Sequence, residues 1–232
     1  MHGLFITATG TETGKTLVAC GIARMLANLG EKVAVMKPVS SGGIEDAVNL
    51  KSAAQSHDSL ALINPCRFKN PLAPYCASYV EKNKFSKSSI LRAYRQINRN
   101  RTFVIVEGIG GVRVPLTKNY ESSDLIRDLN LPAIVVSHAG LGTLNHTLLT
   151  LEHLTRKKIK TLGIILNFFD ENSLTHQTNL RFLKGKSKIL ACIPIKSSFQ
   201  TNYNLLAKSL SHSPLIALLK SPSPSRGEVR WG

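Results

Sequence analysis

The segment at residues 7–16 reads TATGTETGKT, a run of small residues that ends in a lysine and a hydroxyl. In that order these residue types can bind nucleotide phosphates. Backbone N–H groups surround the phosphates, the ammonium of Lys15 reaches the β and γ positions, and the hydroxyl of Thr16 binds Mg²⁺. The strict motif G-x-x-x-x-G-K-[ST] is not met, since Thr9 occupies its first position and Gly10 follows one residue later. The alternative is a helix start that carries the G-K-T triplet by chance. A strand before the segment and a helix after it favour the phosphate loop.

Other polar residues stand at the ends of short apolar runs. Lys37 follows one run, Asn167 ends another, and Glu107 ends a third, just before the glycines of the segment EGIGG. If these runs are neighbouring parallel strands, their carboxyl ends meet at one edge of a sheet, where α/β proteins bind ligands. There Lys37 can face the γ-phosphate beside Lys15, and Glu107 can bind a metal ion. The plain alternatives are an exposed strand-end lysine at Lys37 and a turn residue at Asn167.

The elements that must position these residues are short strands that alternate with amphipathic helices. Helical spacing recurs in three groups: Val18, Ile22, Met25 and Leu29; Ile90, Ala93 and Ile97; and Leu144, Leu148 and Leu151. Runs typical of buried parallel strands stand at Leu4–Ala8, Val33–Met36, Phe103–Val106, Ala133–Val136, Leu162–Leu166 and, more weakly, Ile189–Ile193. This alternation predicts an α/β fold, with a parallel sheet of the P-loop NTPase type and helices on both faces.

One domain is expected over residues 1–219, because nothing in the length or in the 43% hydrophobic content requires a second core. Residues 40–84 are less regular, and we expect loops and a short helix there. The last stretch, residues 220–232, reads KSPSPSRGEVRWG and has little to bury. It is therefore predicted to be a disordered tail.

The charge of the chain is strongly basic, with 30 Lys+Arg against 14 Asp+Glu and a formal net charge of +16. Such an excess can indicate a nucleic-acid-binding surface. The basic residues form several dispersed clusters, however, and with 6% aromatic residues no cluster has the interleaved rings of a base-stacking platform. We interpret the clusters as solvated faces and helix-end charges, and do not expect nucleic acid as a partner.

The cellular compartment follows from what the sequence lacks. No apolar run approaches the roughly 18 residues that cross a bilayer, and the first residues lack the pattern of a signal peptide. The four cysteines are scattered without a C-x-x-C pair, so reduced thiols are expected rather than a metal or disulfide framework. We expect a cytoplasmic protein without a membrane partner.

The motifs together resemble those of the dethiobiotin synthetase family, in order and spacing, from about residue 3 to residue 210. The phosphate loop is followed by KPVSSG at residues 37–42 and by VEGIGG at residues 106–111. LGTLNH at residues 141–146, a strand ending in Asn167, and Ile193-Pro194 complete the series. Each motif is modest alone, but the series in this order is specific.

The sequence departs from the family pattern at four positions. Ala8 replaces the first loop glycine, Thr13 replaces valine or another small residue, Ile109 replaces alanine, and Phe168 stands where aspartate is common. Ala8 is small and need not obstruct an anion if its φ is negative. Phe168 bears on how the adenine is held. None of the four changes removes a group that the chemistry needs.

The resemblance implies an ATP-dependent cyclo-ligase of biotin biosynthesis. Such an enzyme joins 7,8-diaminononanoate and CO₂ into the cyclic urea of dethiobiotin, through a carbamate that ATP phosphorylates, and releases ADP and phosphate. The implied cofactors are ATP and Mg²⁺, and the implied assembly is a homodimer. Lys37, Lys15 and Thr11 match the catalytic positions.

Three groups of binding residues are implied as well. The metal ligands are Thr16, Asp46 and Glu107, with Glu45 as the rival of Asp46. The residues expected to contact ATP are Glu12 (through its backbone), Thr13, Gly14, Lys15, Thr16, Leu17, Asp46, Glu107, Gly108, Ile109, Gly110, Asn167, Phe168, Pro194, Ile195 and Lys196. The residues expected to contact the diamine are Ser41 and, around its far carboxylate, Gly142, Thr143, Leu144 and Asn145. As alternatives, Ser41 is a turn former and Thr143 an ordinary helix cap.

Two other functions are weighed against this one. Partition-type P-loop ATPases have similar unusual loops and could use a basic surface for non-specific nucleic-acid binding. They typically carry an extra lysine near the start of the loop, and this loop has no lysine before Lys15. A non-catalytic basic binding module would leave Lys37, Glu107 and the glycine run without a purpose. Nucleotide turnover stimulated by the diamine separates the enzyme from both.

Overall fold

The computed structural model describes residues 3–99, 103–196, 198 and 202–220. The strands in these ranges are β1 (Gly3–Ala8), β2 (Val33–Met36), β3 (Val39–Ser41), β4 (Cys66–Phe68), β5 (Phe103–Glu107), β6 (Pro115–Thr117), β7 (Tyr120–Glu121), β8 (Ala133–His138), β9 (Thr161–Phe169) and β10 (Ile189–Pro194). The helices are α1 (Lys15–Asn28), α2 (Glu45–Ala53), α3 (Leu60–Ile63), α4 (Pro74–Glu81), α5 (Lys87–Asn98), α6 (Ser122–Asp128), α7 (Thr143–Arg156), α8 (Leu174–Lys184), α9 (Tyr203–Ser211) and α10 (Pro214–Lys220).

The six strands expected from the sequence form one sheet in the order β10-β9-β8-β1-β5-β2. Every neighbouring pair is parallel; Phe5, for example, aligns with Ala133 of β8 on one side and with Val106 of β5 on the other. The central strands are buried along their whole length, as their continuous apolar sequences predict. The predicted parallel sheet is confirmed.

Helices cover both faces of this sheet. Side chains alternate along a strand, so Leu4 and Ile6 pack into a cluster with α1, whereas Phe5 packs into another cluster with α5 and α6. Two hydrophobic layers therefore enclose the sheet, and the carboxyl ends of all six strands reach the same edge.

Residues 40–84 are more regular than expected. They contain three helices, α2 to α4, and a parallel pair of three-residue strands, β3 and β4. Strands this short show no readable period, which is why the sequence did not reveal them. The buried side chain of Asn64 joins the pair, because its amide donates to the carbonyl of Lys37 at 2.7 Å and its oxygen accepts from Ser40 at 2.9 Å. These two hydrogen bonds hold the backbone segment that contains Lys37.

The helix predicted from Leu144, Leu148 and Leu151 is α7, but its buried face carries hydroxyls. Thr143, Thr147 and Thr150 are buried, whereas those leucines are only half-buried. The oxygen of Ser137 in β8 lies 2.7 Å from both the Thr143 and the Thr147 hydroxyls, so the polar groups satisfy one another. Burial of such groups costs little once they are hydrogen-bonded.

The helix α9 packs against α1, the helix that follows the phosphate loop, and α10 packs against α9 and β10. Leu206 and Leu210 join the α1 cluster, and a β-carbon on Gly21 of α1 would lie 2.6 Å from Leu206. Glycine at this position lets the two helices approach closely. The predicted tail at residues 220–232 lies outside the described residues, except for residue 220, where α10 ends. Across the described ranges, none of the helices is long and apolar enough to span a membrane.

Candidate active site

The predicted phosphate loop connects β1 to α1. Its backbone takes left-handed conformations at Glu12 (φ 58°) and Gly14 (φ 80°). Lys15 begins α1, is only 7% exposed, and donates from Nζ to the carbonyl of Gly10 at 3.0 Å. The lysine therefore folds back over its own loop, as a lysine that contacts phosphates must do. The chance helix start is excluded, because a strand, a loop and a helix follow in the required order.

Asn167 closes this loop from the side of β9. Its amide Nδ2 donates to the carbonyl of Thr13 at 2.9 Å, and its side chain is fully buried. A β-carbon on Gly14 would lie 2.0 Å from the same Nδ2. Two conditions thus require glycine at position 14, the positive φ and the contact with Asn167. The other side-chain atom of Asn167, Oδ1, has no hydrogen-bond partner among the described residues.

Four side chains from four separate elements converge beside the loop. The hydroxyl of Thr16 lies 2.8 Å from both Asp46 Oδ1 and Glu107 Oε1. Lys37 Nζ lies 2.6 Å from Asp46 Oδ2 and 2.6 Å from Glu107 Oε1. Glu107 is fully buried at the end of β5, whereas Asp46 in the first turn of α2 is 43% exposed. The four residues were expected together on the basis of sequence alone, and the structure brings them together.

The two lysines of the site differ in their electrostatics. Burial, and then the charge of Lys37, lower the pKa of Lys15 from 10.5 to about 8. Burial also acts against the charge of Lys37, but the carboxylates of Glu107 and Asp46 outweigh it and hold the pKa of Lys37 above its ordinary value. For Asp46, partial burial is outweighed in the same way by Lys37, which lowers the pKa of this carboxyl. Lys37 is therefore charged at neutral pH, whereas the pKa of Lys15, about 8, leaves it partly neutral in weakly alkaline solution.

The donor set fits a hard divalent cation. Thr16, Asp46 and Glu107 offer only oxygen atoms, which Mg²⁺ prefers, and Mg²⁺ retains several waters in proteins. Glu107 Oε2 is buried and has no hydrogen-bond partner in the described part of the chain. Such a carboxylate oxygen is costly unless a ligand uses it. Of the two rival acids, Asp46 contacts Thr16, whereas Glu45 lies over Gly43.

A cavity of about 450 Å³ opens in front of this cluster. Ser41 Oγ lines it, is buried, and has no partner within the described ranges. The expected site residues that line it are Thr11, Glu12, Gly14, Lys15, Thr16, Lys37, Ser41, Asp46, Glu107, Ile109 and Gly110. Thr13, Leu17 and Gly108 do not line it. Sequence reasoning missed Ser40, Gly42, Gly43 and Pro71; the KPVSSGG run could have indicated the first three, but no signal identified Pro71.

The last five residues expected to contact ATP, which are Asn167, Phe168, Pro194, Ile195 and Lys196, lie in two separate places. Pro194, Ile195 and Lys196 line a second cavity, of about 590 Å³, beyond the ends of β9 and β10. Asn167 does not line it. Phe168 has a positive φ of 56°, and its ring centre lies 5.2 Å from that of His138, with the two rings tilted by 45°. The structure thus places Asn167 and Phe168 beside the phosphate loop, and Pro194, Ile195 and Lys196 at a separate cavity.

The segment expected to hold the far carboxylate forms the start of α7. Gly142 has φ 88° and no side chain caps the helix, so the N–H groups of Leu144 and Asn145 are the ones left open to an anion. Thr143 is already bonded through both groups, since its hydroxyl turns inward to Ser137 and its backbone N–H donates to the carbonyl of Gly140 at 3.2 Å. Asn145 is exposed and Leu144 half-buried. None of these four residues lines the 450 Å³ cavity of the same chain.

Comparison with solved structures shows the fold. The chain aligns over its full length with a chain of the MinC:MinD cell division protein complex from Aquifex aeolicus, which is also fully covered, with a TM-score of 0.63 and 16% identity. A putative plasmid partition protein from Borrelia burgdorferi bound to AMPPNP gives a TM-score of 0.59 at 12% identity, over 94% of this chain and 97% of that one. At such identities the likeness concerns the nucleotide-binding fold alone.

Comparison of sequences shows the family. The AAA domain family matches residues 2–201. The chain is 47% identical over 206 residues to the ATP-dependent dethiobiotin synthetase of Endomicrobium trichonymphae, which covers 87% of this chain and 93% of the relative. The corresponding enzyme of Methanocaldococcus jannaschii is 38% identical over 88% of this chain and its own full length. The phosphate loop, the paired lysines and the two acids thus occur in a chain that belongs to the ATP-dependent dethiobiotin synthetase family, whose members are ATP-dependent ligases of biotin biosynthesis.

Proposed function

We propose that this protein closes the cyclic urea of dethiobiotin from 7,8-diaminononanoate, CO₂ and ATP, with release of ADP and phosphate. One observation carries the proposal. Two lysines with different electrostatics, Lys15 and Lys37, stand at one cavity that also contains an unpartnered Ser41 hydroxyl and the carboxylates of Asp46 and Glu107. This second buried cation comes from outside the phosphate loop, and together with the unused hydroxyl it offers contacts for a carbamate, which nucleotide hydrolysis alone does not involve.

The reaction begins when one amine of the substrate attacks CO₂ and forms a carbamate, with loss of a proton. A carbamate oxygen then attacks the γ-phosphorus of ATP, and ADP leaves. The second amine attacks the carbonyl of the mixed anhydride, the ring closes, and phosphate departs. No protein nucleophile is needed, so positioning and charge stabilisation are the tasks of the protein.

Each task has a matching group. Lys15, which folds over the phosphate loop, binds the β- and γ-phosphates. Lys37 approaches from β2 and neutralises charge on the transferring phosphoryl group and on the carbamate. Ser41 Oγ can donate to the carbamate and Thr11 stands across the cavity, while Gly110 leaves room for phosphate oxygens. The low exposure of Lys37, 3%, strengthens its charge interactions.

Mg²⁺ would be held by Thr16, Asp46 and Glu107. When bound, it supplies charge neutralisation to the phosphates. The orphaned Oε2 of Glu107 supports this assignment. The adenine would lie towards Phe168 and the cavity of Pro194, Ile195 and Lys196, with Oδ1 of Asn167 as a free acceptor.

The assembly proposed is a cytoplasmic homodimer. Leu141 is 96% exposed and Leu149 57% exposed, next to the helix start assigned to the carboxylate. Large exposed leucines on one face favour a protein contact. Sedimentation analysis tests this proposal, and a monomer at enzyme-assay concentrations would contradict it.

The deciding experiment is ADP release with and without 7,8-diaminononanoate and CO₂. The proposal expects release to depend on both substrates and a product with the mass of dethiobiotin. Turnover that ignores the diamine but responds to DNA would favour the partition-type alternative. The fold neighbours keep that alternative open, although 12–16% identity shows the fold alone.

A further inference from the structure

At the edge of the sheet opposite the phosphate loop, the ends of α6 and α7 enclose a cavity of about 360 Å³. Its lining includes three cations, Arg127, Lys158 and Lys160, and no carboxylate. Lys160 directly precedes β9, so the cavity lies at the amino ends of the strands. A strand such as β8 spans about 20 Å at roughly 3.3 Å per residue, which separates this cavity from the ATP site.

The three cations are not used to complete the helix ends. At the end of α6, the N–H of Asn130 donates to the Arg127 carbonyl at 3.0 Å. At the end of α7, the N–H groups of Lys158 and Ile159 donate to preceding carbonyls at 2.9 Å. Backbone N–H groups therefore already bond helix-end carbonyls to which cationic side chains often donate, and the three side chains are not needed as helix caps.

The charges at the cavity are available to a ligand. All three side chains are exposed, and the structure gives neither Lys158 nor Lys160 an ion pair or a side-chain hydrogen bond within its described ranges. Arg127 has a single partner, Asp124 at 3.2 Å, and its side chain remains 53% exposed. Two full positive charges and part of a third thus face one recess.

The floor of the cavity is apolar. Ile126, Leu131 and Ile159 line it between the cations. An inorganic ion would gain no binding energy from these apolar side chains, and an apolar cation would be repelled by the three positive charges. We propose that this cavity binds a small amphiphilic anion, a carboxylate or phosphate ester attached to an apolar group, separately from ATP and the diamine. The size is within the range of small-molecule sites.

The surroundings favour the capture of anions. Lys188 precedes β10, and its carbonyl accepts from Ile164 of β9 at 2.8 Å, so its chain continues the same edge. Lys184 and Lys186 lie on the approach to that strand and are exposed. A row of cations of this kind raises the local concentration of an anion and its association rate. Anion binding at this cavity would account for part of the +16 net charge, which the ligase reaction does not explain.

Octanoate, octylamine and inorganic phosphate are suitable probes, measured by calorimetry with the active site saturated by ADP and dethiobiotin. We expect octanoate to bind and the other two to bind much more weakly. The variant Lys158→Gln/Lys160→Gln should weaken octanoate binding by about tenfold. The matched variant Lys184→Gln/Lys186→Gln removes the same charge outside the cavity, so it loses only long-range attraction and should weaken octanoate binding by much less than tenfold.

Several outcomes would overturn the proposal. Equal binding of phosphate and octanoate would mean that charge alone acts, and equal binding of octylamine would mean that only the apolar floor acts. An equal loss in the matched variant would mean diffuse surface charge. Octanoate that fails to bind, while phosphatidylglycerol vesicles sediment the protein in a Lys158- and Lys160-dependent way, would assign the edge to a membrane surface. None of these outcomes bears on the ligase reaction, which diamine-dependent ADP release tests separately.

Discussion

Lys37 Nζ and Glu107 Oε1 lie 2.6 Å apart, and both side chains are buried. The lysine proposed to contact the transferring phosphoryl group is thus held by a carboxylate proposed to bind Mg²⁺. A cation bound at Glu107 competes for the charge that holds Lys37 in place. If the metal ion binds at the unpartnered Oε2, metal binding and the position of Lys37 are coupled through one carboxylate.

Replacement of Glu107 by glutamine tests this coupling. Glu107→Gln retains size and removes charge, so we expect the Mg²⁺ concentration for half-maximal turnover to rise by at least about tenfold and turnover to fall. Turnover measured across a Mg²⁺ series gives the result. Glu152→Gln, an exposed site on α7, is the control. An unchanged Mg²⁺ requirement in Glu107→Gln would exclude Glu107 from the metal ligands.

Replacement of Lys15 and of Lys37 should affect different steps of the reaction, nucleotide binding and turnover respectively. We expect Lys15 to contact ATP in any bound state, so Lys15→Ala should chiefly weaken the binding of ATP and of a non-hydrolysable analogue. Lys37→Ala should leave that affinity nearly unchanged and lower kcat by about 10²–10³, as the loss of a transition-state donor does. Calorimetry and steady-state kinetics separate the two effects. Equal losses of analogue affinity would contradict this division.

The low pKa of Lys15 predicts proton uptake when ATP binds. With its pKa near 8, Lys15 is partly neutral at pH 8–8.5, and the phosphates raise that pKa again and draw a proton from the buffer. Calorimetry at pH 8.3 in buffers of different ionisation enthalpy should show fractional uptake, which should fade towards pH 6.5. In Lys15→Ala the uptake should vanish. Uptake that persists in this variant would assign the proton elsewhere.

A double-mutant cycle tests the contact between Gly14 and Asn167. Gly14→Ala adds a β-carbon against Nδ2 at a positive φ, so we expect a large loss of ATP affinity and of melting temperature. Asn167→Ala alone removes one hydrogen bond, worth about 1 kcal/mol. The double variant should lose less than the sum, by about 0.5–3 kcal/mol. Strict additivity would show that the contact does not restrict position 14.

Gly30→Ala is the matched control for that cycle. Gly30 also has φ 80°, but a β-carbon there meets nothing within 4 Å. This variant therefore reports the cost of the left-handed backbone alone, about 1–2 kcal/mol.

The carboxylate site at the start of α7 is tested at Gly142. Gly142→Ala strains a backbone at φ 88° with its nearest side-chain atom at an ordinary 3.6 Å, so it shifts the helix N–H groups without a clash. The KM for the diamine should rise about twofold to fivefold, the range for an anion at a helix terminus, and the KM for ATP should not change. Discrimination against an analogue without the carboxylate should fall. Equal changes in both KM values would locate the carboxylate elsewhere.

The sequence predicted the sheet well because its signals were local. The strands of the sheet are short β-branched runs, and the converging groups Thr16, Lys37 and Glu107 each adjoin a strand end or a helix start. Parallel topology then brings such positions to one edge. Asp46 needed the family resemblance, because α2 follows a glycine turn that carries no periodic pattern.

Other features depend on contacts between residues distant in sequence. The bond from Asn167 to Thr13 spans 154 positions, and no pattern in either segment indicates it. The leucines of α7 predicted the helix but not its buried face, because the Ser137 hydroxyl that makes buried threonines acceptable lies in another element. The pair β3–β4 cannot be predicted from either segment alone, because each strand has three residues and is defined by its pairing with the other.

The packing of α9 against α1 bears on the order of folding during synthesis. The helix that carries Lys15 and Thr16 is made early on the ribosome, whereas Leu206 and Leu210, which cover it at Gly21, emerge about 180 residues later. Until then one side of α1 is open to water. The nascent chain should therefore bind nucleotide poorly until its last helices dock, so ATP affinity should appear late, together with the closing of the hydrophobic layer.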